Sequence, residues 1–131
     1  MPTARLGEVQ LWRSLAPAPY RGKRVRLRAY VKTDDVTGWA RLSMTVERSD
    51  QGCDTVDDGM RSRPIRGTTD WTRYEIVLDV PRAAPFISFG VSLVGGGHVW
   101  FDDFRFDAVD ASVPTTEEPP LPCAVCPDLP Y

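Results

Sequence analysis

The chain has 131 residues, 42% of them hydrophobic and 10% aromatic, enough for one two-layer core and too few for a second domain. Sixteen basic residues stand against 18 acidic ones for a formal net charge of −2, so neither nucleic acid nor an anionic membrane is expected as the main partner. No basic segment leads into an apolar run, and nothing approaches the roughly 20 apolar residues that span a bilayer, so a cytoplasmic protein is expected.

A short strand is predicted around Val9 to Leu15. From Gly22 to Thr33, Val25, Leu27, Ala29 and Val31 fall on one face and Arg24, Arg26, Arg28, Tyr30 and Lys32 on the other. That alternation marks a strand buried on one side, and its arginines read as a solvated row or as cross-strand ion pairs. A turn is predicted over Asp34 to Gly38. Beyond it Ala40, Leu42, Met44 and Val46 take the core side, and Trp39, Arg41, Ser43, Thr45 and Glu47 the opposite one. The acidic stretch from Ser49 to Gly59 is expected to be a long exposed loop.

Tyr74, Ile76, Leu78 and Val80 form the next apolar row, which ends where Pro81 and Pro85 would break a sheet ladder. Ile87, Phe89, Val91 and Leu93 form another. Gly95, Gly96 and Gly97 can adopt positive φ, so this strand is expected to reverse straight into Val99 to Phe106 as a hairpin. Trp39 and Trp71 are expected to lid the core, and Trp100 to pack inside or against a dimer mate. No window combines helical spacing with a capping signal, so the chain reads as all-β with little or no helix. The domain is placed at residues 1–112, and the proline-rich remainder, 113–131, is expected to be extended or disordered.

The segments YRGKRVRLRAYVKTDDVTGWARLSMTV, MRSRPIRGTTDWTRYEIVLDVP and ISFGVSLVGGGHVWFDDFRFDAVD carry a resemblance. They are similar to the antiparallel jelly-roll β-sandwich domains of carbohydrate-binding modules and the galactose-binding-like fold, especially small bacterial versions that stand alone or are attached to regulators or enzymes. The resemblance covers about Val9 to Val109. Such domains open with one or two further strands, so it implies that the opening strands are missing here. One sheet would then be short by a strand, and a homodimer across the unpaired edge is expected. The resemblance also implies a structural calcium held by Asp102 or Asp103 together with groups from an opening segment; the alternative is that one aspartate caps backbone amides and the other is solvated.

The expected function is a non-catalytic module binding a carbohydrate, or a glycosylated or polyketide-like molecule, on its concave sheet. The contacts would come from Gln10, Trp12, Arg28, Tyr30, Arg41 and Ser43, with Asp58, Met60 and Arg63 from the long loop; aromatic faces suit the C–H edges of sugar rings and polyenes. The alternative is a cofactor-independent cyclase or isomerase, with Tyr30, Glu47 or Asp58 moving a proton in an apolar cavity. The single histidine, His98, has no neighbouring serine motif, which argues against a nucleophilic triad. A third reading is an adaptor docking through its tail. Three cysteines fit a reducing compartment. Cys123 and Cys126 form a CxxC that Cys53 and His98 would complete as a Cys3His set, but one CxxC in a proline-rich tail is a weak signal, and no zinc or other cofactor is expected.

Overall fold

The computed structural model describes residues 8–48 and 55–119. Six strands follow in chain order: β1 (Glu8–Leu15), β2 (Arg24–Glu47), β3 (Thr55–Asp58), β4 (Ile65–Asp79), β5 (Ile87–Val94) and β6 (His98–Val109), with a single 3-10 turn at Ala18–Tyr20. All pairing is antiparallel, and the all-β class expected from the alternating rows is observed.

The 24-residue β2 belongs to both layers. Its first half, from Arg24 to Asp34, lies between β4 and β6. Its second half pairs with β5 over Trp39 to Val46 and with β3 over Met44 to Glu47, and β1 adds beyond β5. The sheet therefore curls on itself into two layers, β6-β2-β4 and β1-β5-β2-β3. Val25, Leu27, Ala29 and Val31 bury against Ala40, Leu42, Met44 and Val46, with Ile76, Leu78 and Ile87 completing the centre.

Two expected reversals are not found. Asp34 to Gly38 does not end a strand: β2 runs on through register shifts between Val31 and Ala40, with Asp35 at φ 55°. A hairpin would lay its two halves side by side in one layer, whereas both rows bury by facing each other across the core. The glycine run does not make a hairpin either, because β5 pairs with β1 and β2 while β6 pairs with β2. It carries the chain from one layer to the other, past the bend in β2. Gly95 and Gly97 sit at φ +87° and +107°, and a Cβ on Gly97 would stand 2.4 Å from the Asp35 carbonyl oxygen. The Thr37 amide donates to the Gly96 carbonyl at 3.1 Å, and the Gly96 amide donates to Thr37 Oγ1 at 2.8 Å.

The expected loop is strand over Thr55–Asp58, since Val56 alternates into the core opposite Val46; residues 49–54 lie outside the described residues. The stretch 113–119 is extended, as expected, but docked. The Thr116 amide donates to the Val77 carbonyl at 2.9 Å, the Val77 amide to Thr116 Oγ1 at 3.0 Å, and the Glu118 amide to the Asp57 carbonyl at 2.9 Å. The folded unit thus continues past residue 112 along the β4–β3 side; residues 120–131 lie outside the described residues. Arg24 fastens this arrangement. Its Nη1 donates to the carbonyls of Ala111 and Val113 at 2.8 and 2.7 Å, while Nε and Nη2 grip the Asp79 carboxylate at 2.7 and 3.0 Å. Arg26 and Arg28 both reach Asp107, so the arginine row is the ion-paired face expected.

The corner glycines differ in what a side chain would meet. Gly97→Ala is expected to destabilise the fold by about 2–4 kcal/mol, from strain plus overlap with Asp35. Gly67→Ala, at φ +72° with nothing within 4 Å, should cost only about 1 kcal/mol. Urea unfolding distinguishes the two.

The Arg24 hydrogen bond holds the Asp79 carboxyl below its ordinary value. A depressed folded pKa contributes stability that is present above the unfolded value, near 4, and lost as the pH falls through the folded one. Asp79→Asn should therefore lower the melting temperature at neutral pH, where the carboxylate contributes, and flatten the acid limb of the profile below about pH 4.

Candidate functional site

The rows that alternate away from the core on the β1-β5-β2-β3 layer form a polar face with two tryptophans. Register aligns Gln10, Ser92 and Arg41 across three strands, and Trp12, Gly90 and Ser43 in the next row. The Trp12 ring lies on Gly90: a Cβ there would be 2.6 Å from Trp12 Cδ2 and 2.8 Å from Cε3. Its Nε1 donates to Gln10 Oε1 at 2.8 Å, which fixes the ring's azimuth, and the residue stays 48% exposed. Glycine is what lets the indole pack against the sheet while staying half-exposed.

Across the same face the Arg41 guanidinium sits 3.5 Å from the centre of the Trp39 ring. Burial, and then the charge of nearby Arg61, push the Arg41 pKa down. Its Nε, like those of Arg26 and Arg28, is buried and has no hydrogen-bond partner among the described residues. The border is built by Arg61, which reaches Asp57 at 3.2 Å and Glu118 at 3.4 Å. Glu118, only 6% exposed, accepts from the amides of Gly59 at 3.0 Å and Ser62 at 3.3 Å. Sequence reasoning missed Glu118 because it lies in the proline-rich segment. The one local signal was a pair of glutamates there with no partner nearby in sequence.

The nine predicted contact residues do not share one surface. Gln10, Trp12, Arg41 and Ser43 come together on this face. Arg28 and Tyr30 stand on the outer face of the other layer, opposite Glu75 and Arg105 and opposite Arg73 and Asp102. The reason is that β2 faces opposite outer sides in its two halves. Asp58 and Met60 are fully buried. The Asp58 carboxylate accepts from Arg63 at 2.6 and 3.1 Å and from the Met60 amide at 2.9 Å, and Met60 Sδ accepts from the Leu42 amide at 3.4 Å. These residues close the core edge where a loop contact with ligand was expected. The proton-transfer candidates are likewise apart: Tyr30 on one outer face, Glu47 at the end of β2 opposite Thr55, and Asp58 in its ion pair.

Asp102 Oδ1 accepts from the Asp103 amide at 2.8 Å, and Asp103, at φ 55° in a bulge of β6, accepts from Arg105 Nε at 3.0 Å. Among the described residues no group of three or more His, Cys, Asp or Glu could hold a metal. Cys53, Cys123 and Cys126 lie outside the described residues. His98 stacks on Trp100 with ring centroids 6.0 Å apart, and Lys32 covers that ring at 5.7 Å. Trp71 and Trp100, each 44% exposed, are surface residues: Trp71 does not lid the core, and Trp100 does not pack inside it.

A second feature lies between β1 and β6, on the side of the sandwich opposite the docked 113–119 segment. A groove of about 340 Å³ is lined by Val9, Leu11, Val91, Leu93, Val99 and Phe101 among others. Through Leu11, Val91 and Phe101 it continues into a hollow of about 670 Å³ lined also by Trp12, Arg13, Phe89, Gly90 and Phe104. None of Tyr30, Glu47 and Asp58 lines either part.

No protein-family model matches the chain. Over 99 residues, 74% of its length, it is 50% identical to an uncharacterized HTH-type transcriptional regulator, YbfP, of Bacillus subtilis (strain 168), and it covers 32% of that protein. The chain thus spans about a third of the length of this curated relative. No helix among the described residues is long and apolar enough to cross a membrane.

Arg63→Ala would leave the Asp58 carboxylate buried without its cation, and chemical denaturation is expected to show a loss of about 3 kcal/mol. Asp58→Asn in the same background should recover part of that loss, because it removes the stranded charge.

Proposed function

We propose that this chain is a non-catalytic ligand-binding β-sandwich module, and that its ligand, a carbohydrate or a glycosylated or polyketide-like molecule, stacks on Trp12. The observation that carries this reading is the indole packed on Gly90 and still 48% exposed. Beside it, the half-buried Arg41 guanidinium and the Ser43 hydroxyl offer polar contacts. Three adjacent strands span roughly 10 Å, wide enough to seat a sugar ring, with C–H edges on the indole and hydroxyls on the arginine.

The relative's printed description supports placing such a module in a regulator. A helix-turn-helix reads DNA with a helix in the major groove, and the described residues hold no α-helix. The chain therefore corresponds to the ligand-sensing part of such a protein, with DNA contacts left to other segments. The cyclase reading gains no support from geometry, because its acid–base candidates do not meet at an apolar cavity.

Isothermal titration against a panel of neutral and acidic oligosaccharides and polyketide glycosides tests the assignment. With a ligand found there, Trp12→Ala should weaken binding about 10- to 100-fold, equivalent to 1–3 kcal/mol. Arg41→Ala should weaken it as well, and Tyr30→Ala, on the far outer face, should leave it unchanged. Full affinity in the Trp12 variant would overturn the site.

A further inference from the structure

We propose that a second copy of this chain covers the open side of the sandwich, with the two β1 strands pairing antiparallel about a two-fold axis at Leu11. β1 has one neighbour, β5, and its other edge is unpaired among the described residues. Val9 and Leu11 point toward the groove yet are 61% and 68% exposed, and Phe104 on the opposite rim is 41% exposed. Core-facing side chains left this open mark a surface that another apolar surface covers. Free edges are normally guarded by proline, lysine, bulges or brevity. β1 is eight residues of EVQLWRSL with none of these.

What identifies the occupant is that β1 is complementary to itself. Two-fold symmetry pairs an edge with its own copy antiparallel, and directly opposed residues must share a face, so only registers that match core row to core row keep the apolar side chains inside. Two such registers overlap over seven residues of Glu8–Leu15, one centred on Leu11 and one on Trp12, and the first sets Leu11 against its own copy at the groove. Leu11 meets Leu11, Val9 meets Arg13, Gln10 meets Trp12, and Glu8 meets Ser14. Neither charge faces its like, whereas parallel pairing would stack Glu8 on Glu8 and Arg13 on Arg13.

β6, the other rim, is bulged at Asp103, which turns its edge away from pairing. It presents Phe104 between Asp103 and Arg105, which pair with each other at 3.0 Å. If the binding face proposed above is correct, the dimer also aligns two Trp12 rings as diagonal neighbours about 7–8 Å apart on one continuous sheet.

Light scattering with size exclusion, under reducing conditions at tens of micromolar, should give a dimer, and Leu11→Glu should give a monomer with an unchanged circular dichroism spectrum. In a background with Cys53, Cys123 and Cys126 changed to serine, Leu11→Cys should oxidise to a covalent dimer, since Cα atoms opposed across antiparallel strands lie about 4.5–5.5 Å apart. Ser14→Cys, displaced from the axis, should not. Cross-linking at position 11 no greater than at position 14 overturns the proposal, as does a dimer that survives Leu11→Glu. A monomeric native chain overturns it too, including one that takes up an apolar dye, which would assign the groove to a small molecule. None of these readouts depends on the ligand.

Discussion

Everything in this fold hangs on β2 serving both layers. One strand supplies the buried row Val25, Leu27, Ala29 and Val31 and the facing row Ala40, Leu42, Met44 and Val46, and four other strands pair with it directly. The two layers therefore cannot slip independently: a one-residue shift in either half would turn four core side chains to solvent. The bend between the halves is the point of greatest constraint. It is satisfied only because glycines let the β5–β6 connection cross in backbone contact, as the positions of Gly38 beneath Val94 and Gly97 against Asp35 show.

The two open sides of the curl are treated differently. On one, the segment after β6 lies along β4 and β3, held by Arg24, Thr116 and Glu118 through hydrogen bonds to backbone groups that would otherwise be edge. On the other, β1 and β6 leave aliphatic and aromatic core residues in reach of water. The candidate site is built on an outer face, where Gly90 and Ser92 of β5 and Ser43 of β2 lie in register between the tryptophans of β1 and β2. That division lets the polar face vary without touching the core rows that hold the layers together.

About half of the candidate site was legible in the residues. Gln10, Trp12, Arg41 and Ser43 alternate with core residues in two segments, so their outward direction followed from period two alone. Arg28 and Tyr30 obey the same rule, and were grouped with them because alternation says which residues point out but not out of which layer. Asp58 and Met60 were misplaced for another reason. An acidic, turn-rich composition describes a solvated loop, yet here Arg63 neutralises the carboxylate and the short β3 buries both residues. Glu118 and the unpartnered Arg41 nitrogen could not be found without coordinates, since each owes its character to groups tens of residues away in the chain.

By itself, then, the sequence determined the class of the fold, the identity of the core rows and the absence of helix from the described residues, because these depend on side-chain alternation along a single strand. Tertiary structure alone decided that the turn signals at Asp34 to Gly38 and at the triple glycine carry the chain between layers, and that a proline-rich stretch is part of the sandwich. It also decided which outward residues meet. Glycine and proline mark where the backbone can turn, but the direction it takes is set by which rows must bury against each other, and that is a property of pairs of strands far apart in sequence.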